Sequence, residues 1–328
     1  MEISPLADGE EHFLIPGSRP DMRLFLRRLA ASSGSAGPAV LPAVLYVHGA
    51  TFPSGLSIAH RFDGRAWRDA LCDAGFCVWG LDFYGFGHSD RYAEMDAPAE
   101  ANPPLCLAED AAAQVAAAVR FILEHEGRSA LSLISHSWGS MAAGRFAGDH
   151  PALVDRLVLF APIARRDPPG DAPRPDGPAW RIVTAEDQWA RFVEDVPPDQ
   201  APVLSKAHFD DWARRYLDSD PRSRSRDPAG VKVPTGPGVE ILRAWNGDLA
   251  YDPGRVTAPV AILRGAWDRL VADADARRLF DAFRRSPVTR DIKIGRATHL
   301  MHLETMRAAL WRESVTFLLG DDVAANPV

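Results

Sequence analysis

The chain has 328 residues, enough for one large domain or two smaller ones, and 46% are hydrophobic, which suits a substantial buried core. The net charge of −7 argues against nucleic-acid binding, because such sites are basic. No apolar run approaches the roughly 20 residues that span a bilayer, and the acidic N-terminus is unlike a secretory signal. We therefore expect a cytoplasmic monomer or homodimer that binds neither nucleic acid nor membrane.

Strands and helices alternate along most of the chain. Two short strands at residues 12–15 and 22–29 come first, the second with the alternation of a half-exposed edge strand, and a surface loop is predicted at residues 31–38. Further strands are predicted at residues 43–48, 76–83, 131–136, 156–162, 260–265 and 289–294, and helices at 65–74, 107–124, 141–147, 272–283 and 304–319. This alternation predicts an α/β fold, a mostly parallel sheet with helices on both faces.

The alternation stops between residues 164 and 257, where the sequence is proline-rich and charged. Only residues 205–217 and 239–245 favour helix there, and long segments without a strand tend to be lids or binding elements. We therefore expect a core in two parts, residues 1–163 and 258–328, and a cap at residues 164–257. Four tryptophans in the cap either pack together or line a pocket for a bulky, apolar substrate: Trp180, Trp189, Trp212 and Trp245.

A serine follows the strand at residues 131–136 in an arrangement that suggests chemistry. Strand, sharp turn and helix are the context of the G-x-S-x-G nucleophile elbow. Ser137 holds the central position and Gly139 is the small residue that the turn needs, whereas Ser135 replaces the commoner glycine. Ser135 and Ser140 would not project from the turn as Ser137 does. Ser137 is therefore the candidate nucleophile.

A serine hydroxyl needs a base to take its proton, and that base needs an anchor. In open α/β sheets, functional groups collect beyond the carboxyl ends of the strands. Asp268 and His299 follow the last two predicted strands and are our choices for anchor and base. His302 is an alternative to His299, and Asp273 or Asp275 to Asp268, although both of these aspartates fall in the following helix.

Taken together, these motifs resemble the α/β-hydrolase-fold serine hydrolases, of the capped esterase, lipase and epoxide-hydrolase-like kind. The matching pieces are His48-Gly49, Asp82-x-x-Gly85-x-Gly87-x-Ser89-Asp90, Ser135-x-Ser137-x-Gly139, Gly265-x-x-Asp268, and His299 followed by Glu304. The resemblance spans residues 44–319. It implies an α/β-hydrolase fold with an inserted, mainly helical cap, and an enzyme without cofactor or metal.

The resemblance also implies a role for each matching residue. Ser137 would be the nucleophile, His299 the general base and then acid, Asp268 the anchor, and the backbone N–H groups of Trp138 and Ala50 the oxyanion donors. Thr51 is the alternative to Ala50, and we expect His48 to brace this loop rather than act in catalysis.

The expected reaction is hydrolysis of an apolar, small-molecule carboxylic ester through an acyl-enzyme. A serine nucleophile argues against epoxide hydrolases and haloalkane dehalogenases, which resemble this fold but use aspartate. Residues 46–54 resemble those of serine-dependent macrolide esterases, which points to a large lactone or ester. Two alternatives remain open: a C–C bond hydrolase or lyase with the same triad, and a low-turnover ligand sensor.

Overall fold

A computed structural model of the protein describes residues 6–32, 42–167 and 175–320, so most of the loop predicted at residues 31–38 lies outside the described part. The strands are β1 (Glu11–Pro16), β2 (Arg23–Leu29), β3 (Ala43–Val47), β4 (Cys77–Asp82), β5 (Leu131–His136), β6 (Val154–Phe160), β7 (Trp180–Thr184), β8 (Gly230–Pro234), β9 (Val260–Gly265) and β10 (Thr289–Ile294). The helices are α1 (Trp67–Asp73), α2 (Ala108–Glu126), α3 (Gly139–Asp149), α4 (Ala185–Val193), α5 (Lys206–Asp218), α6 (Gly236–Trp245), α7 (Asp273–Ala282) and α8 (Arg307–Leu319).

Eight strands form one sheet in the order β1-β2-β4-β3-β5-β6-β9-β10. The first two strands run antiparallel and the rest are mutually parallel, which confirms the predicted α/β class. Strands β3, β4, β5 and β9 are buried along their whole length, because helices cover both faces of the sheet. The carboxyl ends of the parallel strands therefore meet at one edge, where the candidate residues collect.

Strand β2 is not the half-exposed edge strand that its alternating sequence predicts. It lies between β1 and β4, and its residues 24–27 are buried. The charged member of that run, Arg27, is tolerated inside because its guanidinium pairs with the buried Glu10. Glu10 also pairs with Arg68 at 2.9 Å, so this charge is compensated within the core. The edge strand on this side of the sheet is β1, and β10 is the edge strand on the other side.

The segment at residues 164–257 contains more structure than its sequence indicates. The predicted helices correspond to α5 and α6, but the expectation of a segment without strands is wrong, since β7 and β8 pair into a small antiparallel sheet. Each strand has only five residues, and Gly230 and Pro234 at the ends of β8 make it resemble a loop. The Trp212 indole on α5 donates to the Leu56 carbonyl oxygen at 2.9 Å, which ties the segment to the loop after β3. No helix in the described part is both long and apolar enough to cross a membrane.

Candidate active site

The turn between β5 and α3 holds Ser137 in a conformation that few residues adopt. Its φ is +53°, in the left-handed region, and its N–H donates to the Phe160 carbonyl oxygen at 2.9 Å. A Cβ at Gly139 would lie 2.3 Å from the His48 carbonyl oxygen, so only glycine fits there. Ser135 is fully buried and small enough for its place. The elbow therefore needs glycine at residue 139 but accepts serine at residue 135.

Three of the predicted side chains form a hydrogen-bonded chain. Ser137 Oγ lies 2.8 Å from His299 Nε2, and His299 Nδ1 lies 3.0 Å from Asp268 Oδ2. A carboxylate only accepts, so Nδ1 carries the proton and Nε2 accepts from the serine hydroxyl. The other carboxylate oxygen, Oδ1, accepts from the backbone N–H groups of Leu270 at 2.9 Å and Val271 at 3.2 Å. All three side chains are buried, with Ser137 only 1% exposed.

Close contact between two loops brings Asp268 and His299 together. A Cβ at Gly265 would lie 2.2 Å from the Ala297 carbonyl oxygen, so glycine at the end of β9 permits this approach. The Trp267 N–H donates to the same oxygen at 2.9 Å. His136 Nε2 donates to the His299 carbonyl oxygen at 3.1 Å, which fixes the backbone of the candidate base from the opposite side.

His302, the alternative base, has different surroundings. It lies in the 3-10 turn Met301–Leu303, buried, with its ring stacked on Phe52 at a centroid distance of 6.0 Å. Neither ring nitrogen hydrogen-bonds to another described residue. Burial, with His299 nearby, lowers the pKa of His302 to about 3, so the ring is neutral and weakly basic. Only His299 of the two contacts the serine hydroxyl.

The alternative acids also have other partners. Asp273 pairs with Lys293 at 2.7 Å, and Asp275 pairs with Arg166 at 2.6 Å, both away from the candidate base. Within the described ranges, no group of three or more histidine, cysteine or acidic residues is arranged to hold a metal ion.

The loop after β3 lies beside the nucleophile. His48 donates from Nδ1 to the Gly49 carbonyl oxygen at 2.7 Å and accepts at Nε2 from the Phe83 N–H at 3.1 Å, so both ring nitrogens are used in bracing the loop. Burial lowers the pKa of His48, which keeps the ring in the neutral form that these two bonds need. The backbone N–H groups of Ala50 and Trp138 donate to no acceptor in the described part of the chain. Both N–H groups are therefore available to donate to a ligand.

Glu240 is a residue of the site that sequence reasoning missed. It lies on α6, is 7% exposed, and accepts through Oε2 from the Trp138 indole at 2.8 Å and from the Ala108 N–H at 2.7 Å. The second bond satisfies a free N–H at the start of α2, where a negative charge is favourable. Burial raises the pKa of Glu240. No local pattern reveals this contact, because its partners lie more than 100 residues away.

Glu304, noted in the sequence only for its spacing from His299, supports the loop that carries that histidine. The Thr298 N–H donates to Glu304 Oε2 at 3.0 Å, and the Thr298 hydroxyl is hydrogen-bonded to Oε1. Burial raises the pKa of Glu304 to about 7. Glu304 thus holds Thr298, the residue before His299, through both its backbone N–H and its hydroxyl.

Comparison with known proteins agrees with this architecture. Residues 43–306 match the Hydrolase_4 family, described as serine aminopeptidase S33. Solved structures with the same fold include a monoacylglycerol lipase from Paleococcus ferrophilus (21% identity, 90% of this chain and 98% of that one, TM-score 0.55). The fold also matches a thermophilic esterase from Thermogutta terrifontis (19% identity, 93% of this chain and 99% of that one, TM-score 0.53). A third match is the thioesterase domain of the curacin biosynthetic pathway (14% identity, 95% of this chain and 100% of that one, TM-score 0.59). No curated protein matches the sequence. The chain therefore belongs to the Hydrolase_4 family and is an α/β-hydrolase enzyme.

Proposed function

We propose that the protein is a serine hydrolase that cleaves a carboxylic ester through an acyl-enzyme. The observation that carries the proposal is the buried chain from Ser137 through His299 to Asp268, with both hydrogen bonds at 3.0 Å or less. Such a chain converts a weak hydroxyl nucleophile into an effective one. The lipase, esterase and thioesterase named above all act on acyl groups by their titles, in keeping with this reaction.

In the proposed mechanism, Ser137 Oγ attacks the ester carbonyl carbon while its proton passes to His299 Nε2. Asp268 stabilises the resulting imidazolium. The oxyanion of the tetrahedral intermediate accepts hydrogen bonds from the Ala50 and Trp138 N–H groups, each worth about 3 kcal/mol in comparable sites. Collapse of the intermediate expels the alcohol, which takes the proton from His299. Water then attacks the acyl-enzyme by the same steps and releases the acid.

We further assign residues 164–257 the role of a cap over this site. The assignment is supported by the 1% exposure of Ser137 and by the contact of α5 with the loop after β3. Phe52 of that loop and Trp212 of α5 meet edge to face with centroids 5.2 Å apart. This pair supplies apolar surface for a bulky acyl or alcohol group, and the resemblance to macrolide esterases makes a large lactone one candidate.

A fluorophosphonate probe and short p-nitrophenyl esters test the proposal. We expect the native protein to be labelled and to hydrolyse the esters, and Ser137→Ala to lose both properties. Ser135→Ala is the matched control: it removes a second buried hydroxyl two residues away and should keep labelling and turnover.

Other results of these assays would support a different function. Labelling that depends on Ser137 without ester hydrolysis would favour the C–C bond hydrolase or the ligand sensor. Hydrolysis of aminoacyl amides in preference to esters would favour the aminopeptidase chemistry in the family description. The absence of any labelling would contradict an activated serine.

A further inference from the structure

Two polar side chains of α4 have buried atoms without a hydrogen-bond partner in the described part of the chain. Gln188 is 1% exposed, and neither its amide oxygen nor its amide nitrogen is hydrogen-bonded to a described residue. Arg191 is partly exposed as a whole, but its Nε is buried and likewise unpaired. Residues three apart project from the same face of a helix. Buried polar groups without a partner are rare in folded proteins, so a partner for this pair is to be expected.

Helix α4 lies beside the loop that carries Asp268. Asp195, just after α4, accepts from the Arg269 N–H at 3.3 Å, and Phe192 of α4 packs against Trp212 with ring centroids 5.0 Å apart. Arg191 also acts electrostatically on Asp268 and on His136, the neighbour of the nucleophile. Gln188 lies beside the Tyr216 hydroxyl, which donates instead to a backbone oxygen of β7 at 3.3 Å. The helix that carries both side chains therefore lies against the Asp268 loop and the apolar pair Phe52 and Trp212.

No ion pair joins Arg191 to a carboxylate in the described ranges. The acid with the largest electrostatic effect on it is Glu194 at the end of α4, whose side chain is exposed. Asp268 is already bound to His299 and to two backbone N–H groups. Asp195, the other buried acid nearby, accepts from the Arg269 N–H at 3.3 Å and lies 3.7 Å from the Arg269 Nε. A buried guanidinium nitrogen without an acceptor is unfavourable, and a bound anion would supply one.

We propose that Arg191 and Gln188 bind a carboxylate of the substrate, so that the enzyme acts on esters that carry a free acid group. A guanidinium binds a carboxylate through two parallel N–H bonds, and the glutamine amide adds a further donor. Together with the apolar pair Phe52 and Trp212, this predicts an amphipathic ester and departs from the wholly apolar substrate expected from the sequence. The inference rests on the proposed ester hydrolysis.

The test compares two esters of equal chain length: the mono-p-nitrophenyl ester of glutaric acid, which carries a carboxylate, and p-nitrophenyl pentanoate, which does not. We expect Arg191→Gln to lower kcat/KM for the glutarate ester about tenfold to hundredfold, the usual range for a charge-assisted hydrogen bond, and to leave the pentanoate within about threefold. Arg191→Lys keeps the positive charge but not the two parallel N–H donors, so it should lower kcat/KM for the glutarate ester less than Arg191→Gln does. Arg214→Gln removes an exposed charge on α5 that pairs with Asp211, and it should not change the ratio. Equal effects of Arg191→Gln on both esters would overturn the proposal.

Binding without turnover separates this inference from the proposed function. Monomethyl glutarate titrated calorimetrically into the Ser137→Ala variant should bind, and adding Arg191→Gln should weaken that binding at least tenfold. Binding that depends on Arg191, in a protein that hydrolyses neither ester, would keep the anion site and reject the hydrolase. Hydrolysis of the pentanoate ester by a protein that does not bind monomethyl glutarate would keep the hydrolase and reject the anion site. Thermal melting of each variant identifies any that fails to fold.

Discussion

The buried carboxyl of Glu304 should make stability depend on pH, and Glu304→Gln should remove that dependence. Its pKa is raised from 4.5 to about 7, first by burial and then by the nearby charges of Asp195 and Asp268. The folded state therefore holds this proton more tightly than the unfolded state. The stabilisation is complete below about pH 4.5, declines as the pH rises through 7, and is lost above that.

The size of the effect follows from the same values. Each tenfold change in proton affinity corresponds to about 1.4 kcal/mol. A rise in the pKa of Glu304 from 4.5 to about 7 therefore changes the free energy of unfolding by roughly 3 kcal/mol. Glutamine reproduces the protonated acid, since its oxygen can accept from the Thr298 N–H and its amide can donate to the Thr298 hydroxyl. We expect Glu304→Gln to be more stable than the native protein by about 3 kcal/mol at pH 8.5, and by about 1 kcal/mol or less at pH 5.

Urea unfolding followed by tryptophan fluorescence at the two pH values measures this difference. Glu124→Gln, at an exposed position on α2, is the matched control and should show no pH-dependent gain. A Glu304→Gln variant that is no more stable at pH 8.5, or that gains the same amount at both pH values, would refute a carboxyl held protonated by burial.

Two further substitutions test the site. His299→Ala should lower kcat/KM for p-nitrophenyl esters by about 10⁴-fold or more, whereas His302→Ala should stay within about tenfold; the reverse order would transfer the role of base to His302. Glu240→Ala should destabilise the protein by at least about 2 kcal/mol in urea unfolding, because it leaves two buried N–H groups without an acceptor, and should also lower kcat through the displaced Trp138. Unchanged stability would show that other groups replace this carboxylate.

The sheet was predictable because each of its central strands is a short apolar run that ends in small or polar residues. β9 and β10 have the bounds expected from the sequence. The last helix begins three residues later than predicted, because Glu304 is engaged with Thr298 and the chain between them forms a 3-10 turn. The local sequence pattern thus predicted the positions of these strands and helices well and their end residues less well.

The three candidate triad residues were predictable for a different reason. Each follows a predicted parallel strand, and parallel strands end at a common edge. Glu240, Gln188 and Arg191 carry no comparable signal. Their significance depends on which polar groups they meet, or fail to meet, across the interface between the core and residues 164–257, and helix periodicity contains no such information.

The two hydrogen bonds of Glu240 attach α6, one helix of residues 164–257, firmly to the core. A single carboxylate oxygen clamps α6 to the tryptophan beside the nucleophile and to the first residue of α2. Movement of α6 would displace Trp138 and the start of α2 as well, so we expect this helix to stay fixed. If residues 164–257 act as the proposed cap, substrate would enter by movement of α4, and we expect faster amide hydrogen exchange there than in α6. Arg191 lies on α4, so the proposed anion-binding side chain would move with the entrance.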